Sequence, residues 1–471
     1  MPKATITFVC TDCGGESLRW AGQCPHCQTW NTLQEFQVRK AGPSGKRATT
    51  GAAPARAIPL HEIETEAAPR RVLAWDELNR VLGGGIVAGS LVLVGGEPGV
   101  GKSTLLMHAA AQVAASRGGR VLYVSGEESG QQVRMRAQRL GTLEPGILLL
   151  AENDLDAICE SIRAESPHLV IIDSIQTVTD AGFEGSAGSV TQVRESAARL
   201  MRLAKETGVS IFLVGHVTKD GSIAGPRVLE HIVDTVLYLE GDRRQELLIL
   251  RAMKYRFGSA EEIGVFSMGE VGLEQVPDPS AALLGNAVTA AAGTAIVAAL
   301  EGTRTLLVEI QSLVNPNDNA MVRRIANGID INRLHMILAV LEKRLNLKFG
   351  KSDVFVSVAG GIRVTEPAAD LGLALSIFSN HNNEPLPDGL VVIGELGLAG
   401  EVRRVGQLER RLQEAARHGL TRALIPAGAR AGRPSGLDVV EVRTLAEAAS
   451  AAFSTPMRSG AFIREAGVTV S

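Results

Sequence analysis

The sequence contains no apolar run as long as the roughly 20 residues that a membrane-spanning helix needs. Its first residues also lack the apolar segment of a secretory signal peptide. The formal net charge of the 471 residues is −3, so no overall positive charge attracts nucleic acid, and any such binding must depend on local patches. These absences predict a soluble, cytoplasmic protein that does not bind a membrane.

Cysteine is also scarce, with five residues in the chain, four of them within the first 27. This distribution favours a metal site in a reducing compartment over a disulfide framework. The spacings Cys10-x-x-Cys13 and Cys24-x-x-Cys27 predict one tetrahedral Zn²⁺ bound by four thiolates, which would supply the folding free energy of so small a unit. The alternative is a redox role for one of the pairs, and His26 is expected to be a bystander.

The composition predicts several successive segments, because 471 residues exceed one ordinary core. Residues 39–57 contain no acidic residue and are rich in Gly, Ala and Pro, which indicates a basic linker. From residue 72, short β-rich runs such as LVLVGG, LVIID, SIFLVGH and ELLILRA alternate with helical stretches, which is typical of a parallel α/β sheet. The predicted boundaries are a zinc domain at 1–36, a linker at 37–70, an ATPase domain at 71–278, a smaller α/β domain at 284–456 and a tail at 457–471.

A phosphate-binding loop follows the first of these strands. Residues 96–103, GEPGVGKS, fit the pattern G-x-x-x-x-G-K-[ST] and precede the helical stretch TLLMHAAAQVAA. Backbone N–H groups and the helix N-terminus would bind phosphate oxygens, Lys102 would contact the β and γ phosphates, and Ser103 would bind Mg²⁺. The predicted nucleotide-binding residues are Gly96, Glu97, Pro98, Gly99, Val100, Gly101, Lys102, Ser103 and Thr104.

Polar residues end three further strands, where a nucleotide binds in this architecture. Asp173 ends LVIID and is predicted to orient Mg²⁺; the alternative is a strand-end cap. Glu127 follows VLYVS and is predicted to orient or deprotonate the attacking water; the alternative is that both Glu127 and Glu128 are solvated loop acids near the start of the next helix. His216 ends SIFLVGH and is a candidate sensor of the γ-phosphate or a structural residue.

Four segments together resemble the bacterial RadA (Sms) family, RecA-like ATPases of DNA recombination and repair: FVCTDCGGESLRWAGQCPHCQTWN, GGEPGVGKST, VGHVTKDG and MKYRFG. The last motif is usually K-N-R-F-G, so Tyr255 departs from it while Lys254 and Arg256 are retained. The resemblance covers nearly the whole chain. It implies an α/β fold with a RecA-like P-loop ATPase core, an N-terminal four-cysteine zinc finger and a C-terminal Lon-protease-like (ribosomal S5 domain 2-like) domain.

The resemblance also implies ATP, Mg²⁺ and Zn²⁺ as cofactors and a homo-oligomeric ring, expected to be a hexamer, with ATP sites between subunits. Residues i and i+2 of a strand share a face, so Lys254 and Arg256 are predicted to act together on a nucleotide bound by the neighbour's Lys102, while Tyr255 faces away. The alternative is two solvated cations at a sheet edge. Lys219 and Arg227, in VTKDGSIAGPR, are candidate contacts to single-stranded DNA or else solvated loop charges.

The C-terminal segment resembles the proteolytic domain of Lon in TEPAADLGLALS (365–376) and GELGLAGEVRRVGQLERRLQEAARHG (394–419). The serine of the Lon Ser-Lys dyad falls on Ala368 and the lysine on Glu409, and neither side chain can replace the original group. A proteolytically inactive domain, used for oligomer contacts or as a DNA-binding platform, is therefore predicted.

These features together favour a DNA-dependent ATPase of recombinational repair. The predicted protein is a ring-forming motor or helicase that binds single-stranded and branched DNA and promotes processing or branch migration of recombination intermediates, with the RecA recombinase as a candidate partner. The alternatives are an ATP-dependent Lon-type protease and an ATP-switched DNA-binding scaffold without motor activity.

Overall fold

The computed structural model describes residues 5–10, 16–17, 19–26, 28–30, 33–38, 70–215, 227–241, 247–285, 291–317 and 321–453. These residues form two compact units, of which the first ends at Gln275 and the second begins at Val276. Most of the predicted linker and the whole predicted tail lie outside the described residues. In the described ranges, no helix combines the length and the apolar character needed to cross a bilayer.

The N-terminal segment forms a small antiparallel sheet of β1 (Thr5–Cys10), β2 (Glu16–Ser17) and β3 (Leu33–Val38), with β1 in the middle. Cys10 pairs with Leu33 in the register, and both are buried together with Cys24. A core of this size is too small to hold the fold by apolar burial alone. The segment therefore needs a further source of stability.

A large sheet dominates the remainder of the first unit. Its strands are β6 (Leu91–Gly96), β7 (Val121–Ser125), β8 (Ile147–Leu150), β9 (Leu169–Asp173), β10 (Ser210–Val214), β11 (Thr235–Glu240), β12 (Leu247–Tyr255), β13 (Ile263–Gly269) and β14 (Gly272–Gln275), preceded by a small pair, β4 (Arg70–Arg71) and β5 (Ile86–Val87). Its helices are α1 (Asp76–Val81), α2 (Lys102–Ala115), α3 (Gly130–Arg139), α4 (Leu155–Glu165), α5 (Val190–Thr207) and α6 (Arg227–Ile232). The strand order is β14-β13-β12-β11-β6-β10-β9-β7-β8.

The central strands are buried along their whole length, as expected of parallel strands covered on both faces. Val92 and Val94 of β6 belong to one core, and Leu91 and Leu93 belong to the other. The first core includes buried residues of α2 and α3, and the second includes those of α4 and α5. Helices on both faces leave the carboxyl ends of the strands as the edge where a ligand binds.

The predicted parallel sheet is mixed at one side. Strand β11 pairs with β6 in parallel, but β12, the predicted strand ELLILRA, pairs with β11 in antiparallel. The prediction of a parallel orientation for this strand is wrong because only residues 241–246 connect it to β11, whereas a parallel crossover needs about a dozen. Because β12 runs antiparallel to β11, the last residues of β12 lie beside the first residues of β11.

The second unit contains a seven-stranded sheet with the order β17-β18-β16-β15-β19-β22-β23 and a two-stranded pair, β20-β21. Its strands are β15 (Thr294–Glu301), β16 (Arg304–Pro316), β17 (Arg324–Asn327), β18 (Ser352–Val358), β19 (Leu390–Val392), β20 (Glu395–Leu396), β21 (Val402–Arg403), β22 (Arg422–Pro426) and β23 (Asp438–Val442). Its helices are α7 (Pro279–Leu284), α8 (Ile331–Leu345), α9 (Asp370–Asn382), α10 (Leu408–Arg417) and α11 (Leu445–Ala452). This unit is α/β, as predicted.

Candidate functional site

The phosphate-binding loop connects β6 to α2 at the carboxyl edge of the large sheet. Gly96 has φ +151°, and a Cβ there would lie 2.5 Å from the Leu239 carbonyl of the adjacent strand. Gly101 has φ +114° and directly precedes Lys102, the first residue of α2. The backbone therefore requires glycine at both positions, and the loop has the conformational freedom that wrapping a phosphate demands.

Lys102 lies at the centre of this edge and is 4% exposed. Its Nζ donates to the Gly96 carbonyl at 2.8 Å and to the Glu97 carbonyl at 2.9 Å. Burial lowers the pKa of Lys102, and the nearby negative charges of Asp173 and Glu127 oppose that shift. The three residues predicted to act on the nucleotide are thus close enough to interact electrostatically.

Asp173 ends β9 beside the end of β7, with Ser125 as its register partner. Its Oδ2 accepts a hydrogen bond from the Tyr123 hydroxyl at 2.5 Å and lies 3.7 Å from the Arg136 guanidinium. In the described part of the chain, these contacts of the carboxylate both involve Oδ2, which leaves Oδ1 as a ligand oxygen. Together with the hydroxyl of Ser103, at the start of α2, the carboxylate provides the oxygen donors that Mg²⁺ prefers.

Glu127 and Glu128 differ in their surroundings, although they are adjacent in sequence. Glu128 forms an ion pair with Arg136 at 2.7 Å. Glu127 accepts a hydrogen bond from Ser174, the residue after Asp173. The negative charge of Glu127 raises the pKa of Lys102, against the lowering by burial. Of these two acids, Glu127 is the one whose charge acts on Lys102 of the phosphate-binding loop.

Lys254 and Arg256 lie at the opposite edge of the same sheet. Leu239 of β11 pairs with Gly96, whereas Thr235, at the start of β11, pairs with Tyr255. Four strand residues separate these two levels, which corresponds to about 13 Å along the strand. The two cations therefore face away from the phosphate-binding loop of their own chain.

Both cations contact the end of α6 and the residues after it. Lys254 Nζ donates to the carbonyls of Glu230 and, at 2.9 Å, of Val233. Arg256 donates to the His231 carbonyl at 3.1 Å. Burial lowers the pKa of Lys254, and the positive charge of Arg256 lowers it further. Both cations thus contact the same short stretch of backbone, although Arg256 lies in the turn after β12 rather than in the strand.

Tyr255 points away from the two cations and is 7% exposed. Its hydroxyl donates to the Leu82 carbonyl at 2.5 Å and accepts from Arg70 at the same distance. The sequence predicts that Tyr255 faces away from the nucleotide but does not indicate what it contacts. In the structure it packs within the protein.

Cys10 and Cys24, two of the four predicted zinc ligands, are buried in one small cluster. The backbone N–H of His26 lies 3.4 Å from Cys24 Sγ, and an amide donor beside a thiolate stabilises its charge. The His26 side chain is exposed. Cys13 and Cys27 lie outside the described residues. The donor chemistry of the described pair fits zinc.

Other predicted residues lie outside the described part of the chain or in other elements of the fold. His216 and Lys219 lie outside the described residues, and Arg227 is the first residue of α6. In the second unit, Ala368 is buried and Glu409 is exposed. A serine nucleophile and its lysine are thus absent from these two positions.

Sequence reasoning missed Tyr123 and Arg136, which hold the Asp173 carboxylate. The Arg136 guanidinium also donates to the Tyr123 hydroxyl at 2.9 Å, so the three groups form one network. Burial, followed by the negative charge of Asp173, raises the pKa of Tyr123 well above its usual range. The sequence offered one signal for this network: Tyr123 is the one phenol in the apolar run VLYVS, and a buried hydroxyl needs a hydrogen-bond partner.

Three family models match the chain. They are an AAA domain at residues 72–222, a rubredoxin metal binding domain at residues 8–35 and the subunit ChlI of Mg-chelatase at residues 332–429. These matches, with the mainly parallel large sheet, confirm the predicted fold class of an α/β protein with a RecA-like P-loop ATPase core, an N-terminal zinc-binding domain and a C-terminal Lon-like domain. The N-terminal domain is a zinc ribbon. Among solved structures, a KaiC-like protein from Pyrococcus horikoshii is 22% identical and covers 45% of this chain and 100% of its own, with a TM-score of 0.38.

Curated relatives match almost the entire length. The DNA repair protein RadA of Halalkalibacterium halodurans is 50% identical over 95% of this chain and 98% of its own. The DNA repair proteins RadA of Bacillus subtilis and Pseudomonas aeruginosa are 48% and 47% identical, over 95% and 96% of this chain and 98% and 100% of their own. The chain belongs to the RadA family.

Proposed function

We propose that this protein is a DNA-stimulated ATPase of recombinational DNA repair that assembles head to tail into a ring and moves along single-stranded DNA. In this proposal Lys102, Ser103 and Asp173 bind the phosphates and Mg²⁺, and Glu127 orients the attacking water. Lys254 and Arg256 of the next subunit stabilise the charge on the γ-phosphate. Unwinding or branch migration of recombination intermediates in the cytoplasm, with the RecA recombinase as a partner, is the proposed use of this cycle.

One observation carries the proposal: the phosphate-binding loop and the two cations lie at opposite edges of one sheet. A single chain therefore contains two half-sites that do not meet each other. A nucleotide contacts both half-sites only when Lys254 and Arg256 of one chain face the phosphate-binding loop of another chain. Two different surfaces that meet in this way form a heterologous interface, which closes into a ring or continues as a filament. A hexamer is the proposed closed form.

The proposal is tested by measuring ATP hydrolysis with and without single-stranded DNA, together with unwinding of a forked duplex. We expect single-stranded DNA to raise the hydrolysis rate and unwinding to require ATP. Lys102→Ala is the background control in both assays. DNA binding that depends on the nucleotide but is not accompanied by unwinding would support a scaffold instead. An ATP hydrolysis rate that is the same with and without single-stranded DNA would contradict the proposed coupling.

Zinc is the metal ion that we propose the N-terminal cysteines bind. The buried core around Cys10 and Cys24 is too small to hold the fold, so a bound metal would supply the missing stability. Cys24→Ser should release one zinc per chain, as measured by metal analysis of the dialysed protein. Cys159→Ser is the matched control, because Cys159 is buried in the ATPase core. Unchanged zinc content in Cys24→Ser would contradict the four-thiolate site.

A further inference from the structure

Arg70 makes contacts that reach far along the chain. Its Nη1 lies 2.5 Å from the Tyr255 hydroxyl, 2.9 Å from the Leu82 carbonyl and 2.5 Å from the Gly83 carbonyl. Its Nη2 donates to the Phe257 carbonyl at 3.2 Å. One guanidinium thus contacts the residues on both sides of Arg256, and it connects them to the turn that follows α1.

Tyr255 fits closely into the place where Arg70 holds it. Gly83 has φ +60°, and a Cβ there would lie 2.6 Å from the Tyr255 hydroxyl. The ring of Tyr255 also packs edge-on against Phe257, with 5.7 Å between centroids. Tyr255 is the last residue of β12, and Lys254 and Arg256 are bonded to it on either side, so holding Tyr255 also restrains the backbone from which both cations project.

Arg256 is held by its backbone and also by its side chain, which donates to the His231 carbonyl at 3.1 Å. Its N–H donates to the Asp234 carbonyl at 3.1 Å, and Asp234 is anchored by Lys205 at 2.9 Å and by the Leu91 N–H at 3.1 Å. The Arg256 guanidinium is 50% exposed and lies 3.4 Å from the Asp234 carboxylate. The guanidinium is half exposed, and the buried Asp234 carboxylate keeps Lys205 as a partner, so the guanidinium can leave Asp234 for a stronger partner.

We infer that Arg70 is a positioning residue that, through Tyr255 and Phe257, fixes the segment 254–256 and so aims Lys254 and Arg256 at a neighbour's nucleotide. This inference rests on the proposed function. Stabilisation of a transferred phosphoryl group depends on geometry, and a displacement of about 1 Å costs about 10²-fold in rate. Arg70 needs no contact with the nucleotide to have such an effect.

The test begins with the steady-state kinetics of Arg70→Ala. We expect kcat for ATP hydrolysis to fall by about 10-fold to 100-fold. The KM for ATP should change little, because the phosphate-binding loop lies at the other edge of the sheet. Arg71→Ala is the matched control: Arg71 is the next residue of β4, and its guanidinium contacts the Ser116 hydroxyl at 3.3 Å. An unchanged kcat in Arg70→Ala would overturn the inference.

Mixed assemblies distinguish positioning from a general loss of folding. Arg70→Ala mixed with Lys102→Ala should recover activity, because the first variant retains its loop and the second retains its cations. Arg70→Ala mixed with Arg256→Ala should recover none, because both lesions affect the same half-site. Failure of a correctly folded Arg70→Ala to recover in the first mixture would also overturn the inference, whereas a misfolded variant would fail for a different reason.

A milder variant keeps the test decisive if Arg70→Ala folds poorly. Tyr255→Phe retains the packing of the ring and removes the hydroxyl that Arg70 contacts, so a smaller fall in kcat with the same pattern of recovery is expected. If Lys102→Ala and Arg256→Ala recover together while neither Arg70→Ala nor Tyr255→Phe recovers with Lys102→Ala, only the positioning role fails. If no pair recovers in demonstrably mixed assemblies, the proposed function fails with it.

Discussion

Arg256→Ala should lower the rate of ATP hydrolysis by about 10³-fold, the lower end of the effect of removing an arginine finger. ATP affinity should change little, because Arg256 lies at the sheet edge opposite the phosphate-binding loop of its own chain. Hydrolysis is measured as phosphate release in the presence of single-stranded DNA, and affinity by titration of a fluorescent ATP analogue.

The matched control is Arg251→Ala. Arg251 lies in β12, shortly before Arg256, and pairs with Glu240 at 3.4 Å, so it tests whether any arginine in this part of the chain matters. This control should retain most of its activity. Hydrolysis by Arg256→Ala at more than about a tenth of the wild-type rate would be incompatible with a finger role.

Lys102→Ala should lower hydrolysis by about 10²-fold to 10³-fold, the cost typical of removing a charge-stabilising group from a reaction centre. Unlike Arg256→Ala, it should also weaken ATP binding by about 10-fold to 100-fold, because Lys102 loses charged hydrogen bonds to the phosphates. The same two assays measure both effects.

Lys351→Ala, at an exposed lysine of the second unit, controls for the loss of a positive charge. Melting curves verify the fold of both variants, since the buried Lys102 side chain donates to two backbone carbonyls. An ATP affinity equal to that of the wild type in Lys102→Ala would argue against direct phosphate contact.

The parts of the site that follow local rules were predictable from the sequence. The loop at residues 96–103 has fixed glycine positions, and a buried run that ends in Asp173 identifies a strand end. The spacing of Lys254 and Arg256 gave their shared location. Each of these inferences needs only neighbouring residues.

The network around Arg70 could not be predicted, because Arg70 and Tyr255 are 185 residues apart and meet only in the folded sheet. The sequence analysis places Arg70 at the end of a basic linker, whereas the structure pairs it with Val87 in β4. An arginine at the end of a predicted linker looks solvated until its acceptors are known. The antiparallel orientation of β12 was not predicted for a similar reason, because it depends on the length of the connection between β11 and β12 rather than on composition.

The most direct test of the shared site is ATP hydrolysis by Lys102→Ala and Arg256→Ala, assayed separately and after equal mixing. Each variant alone should be inactive. In randomly mixed rings about one interface in four combines an intact loop with intact cations, so about a quarter of the wild-type rate is expected if interfaces act independently. Energy transfer between labelled subunits verifies mixing. No recovery in rings that have demonstrably mixed would contradict an ATP site shared between two chains.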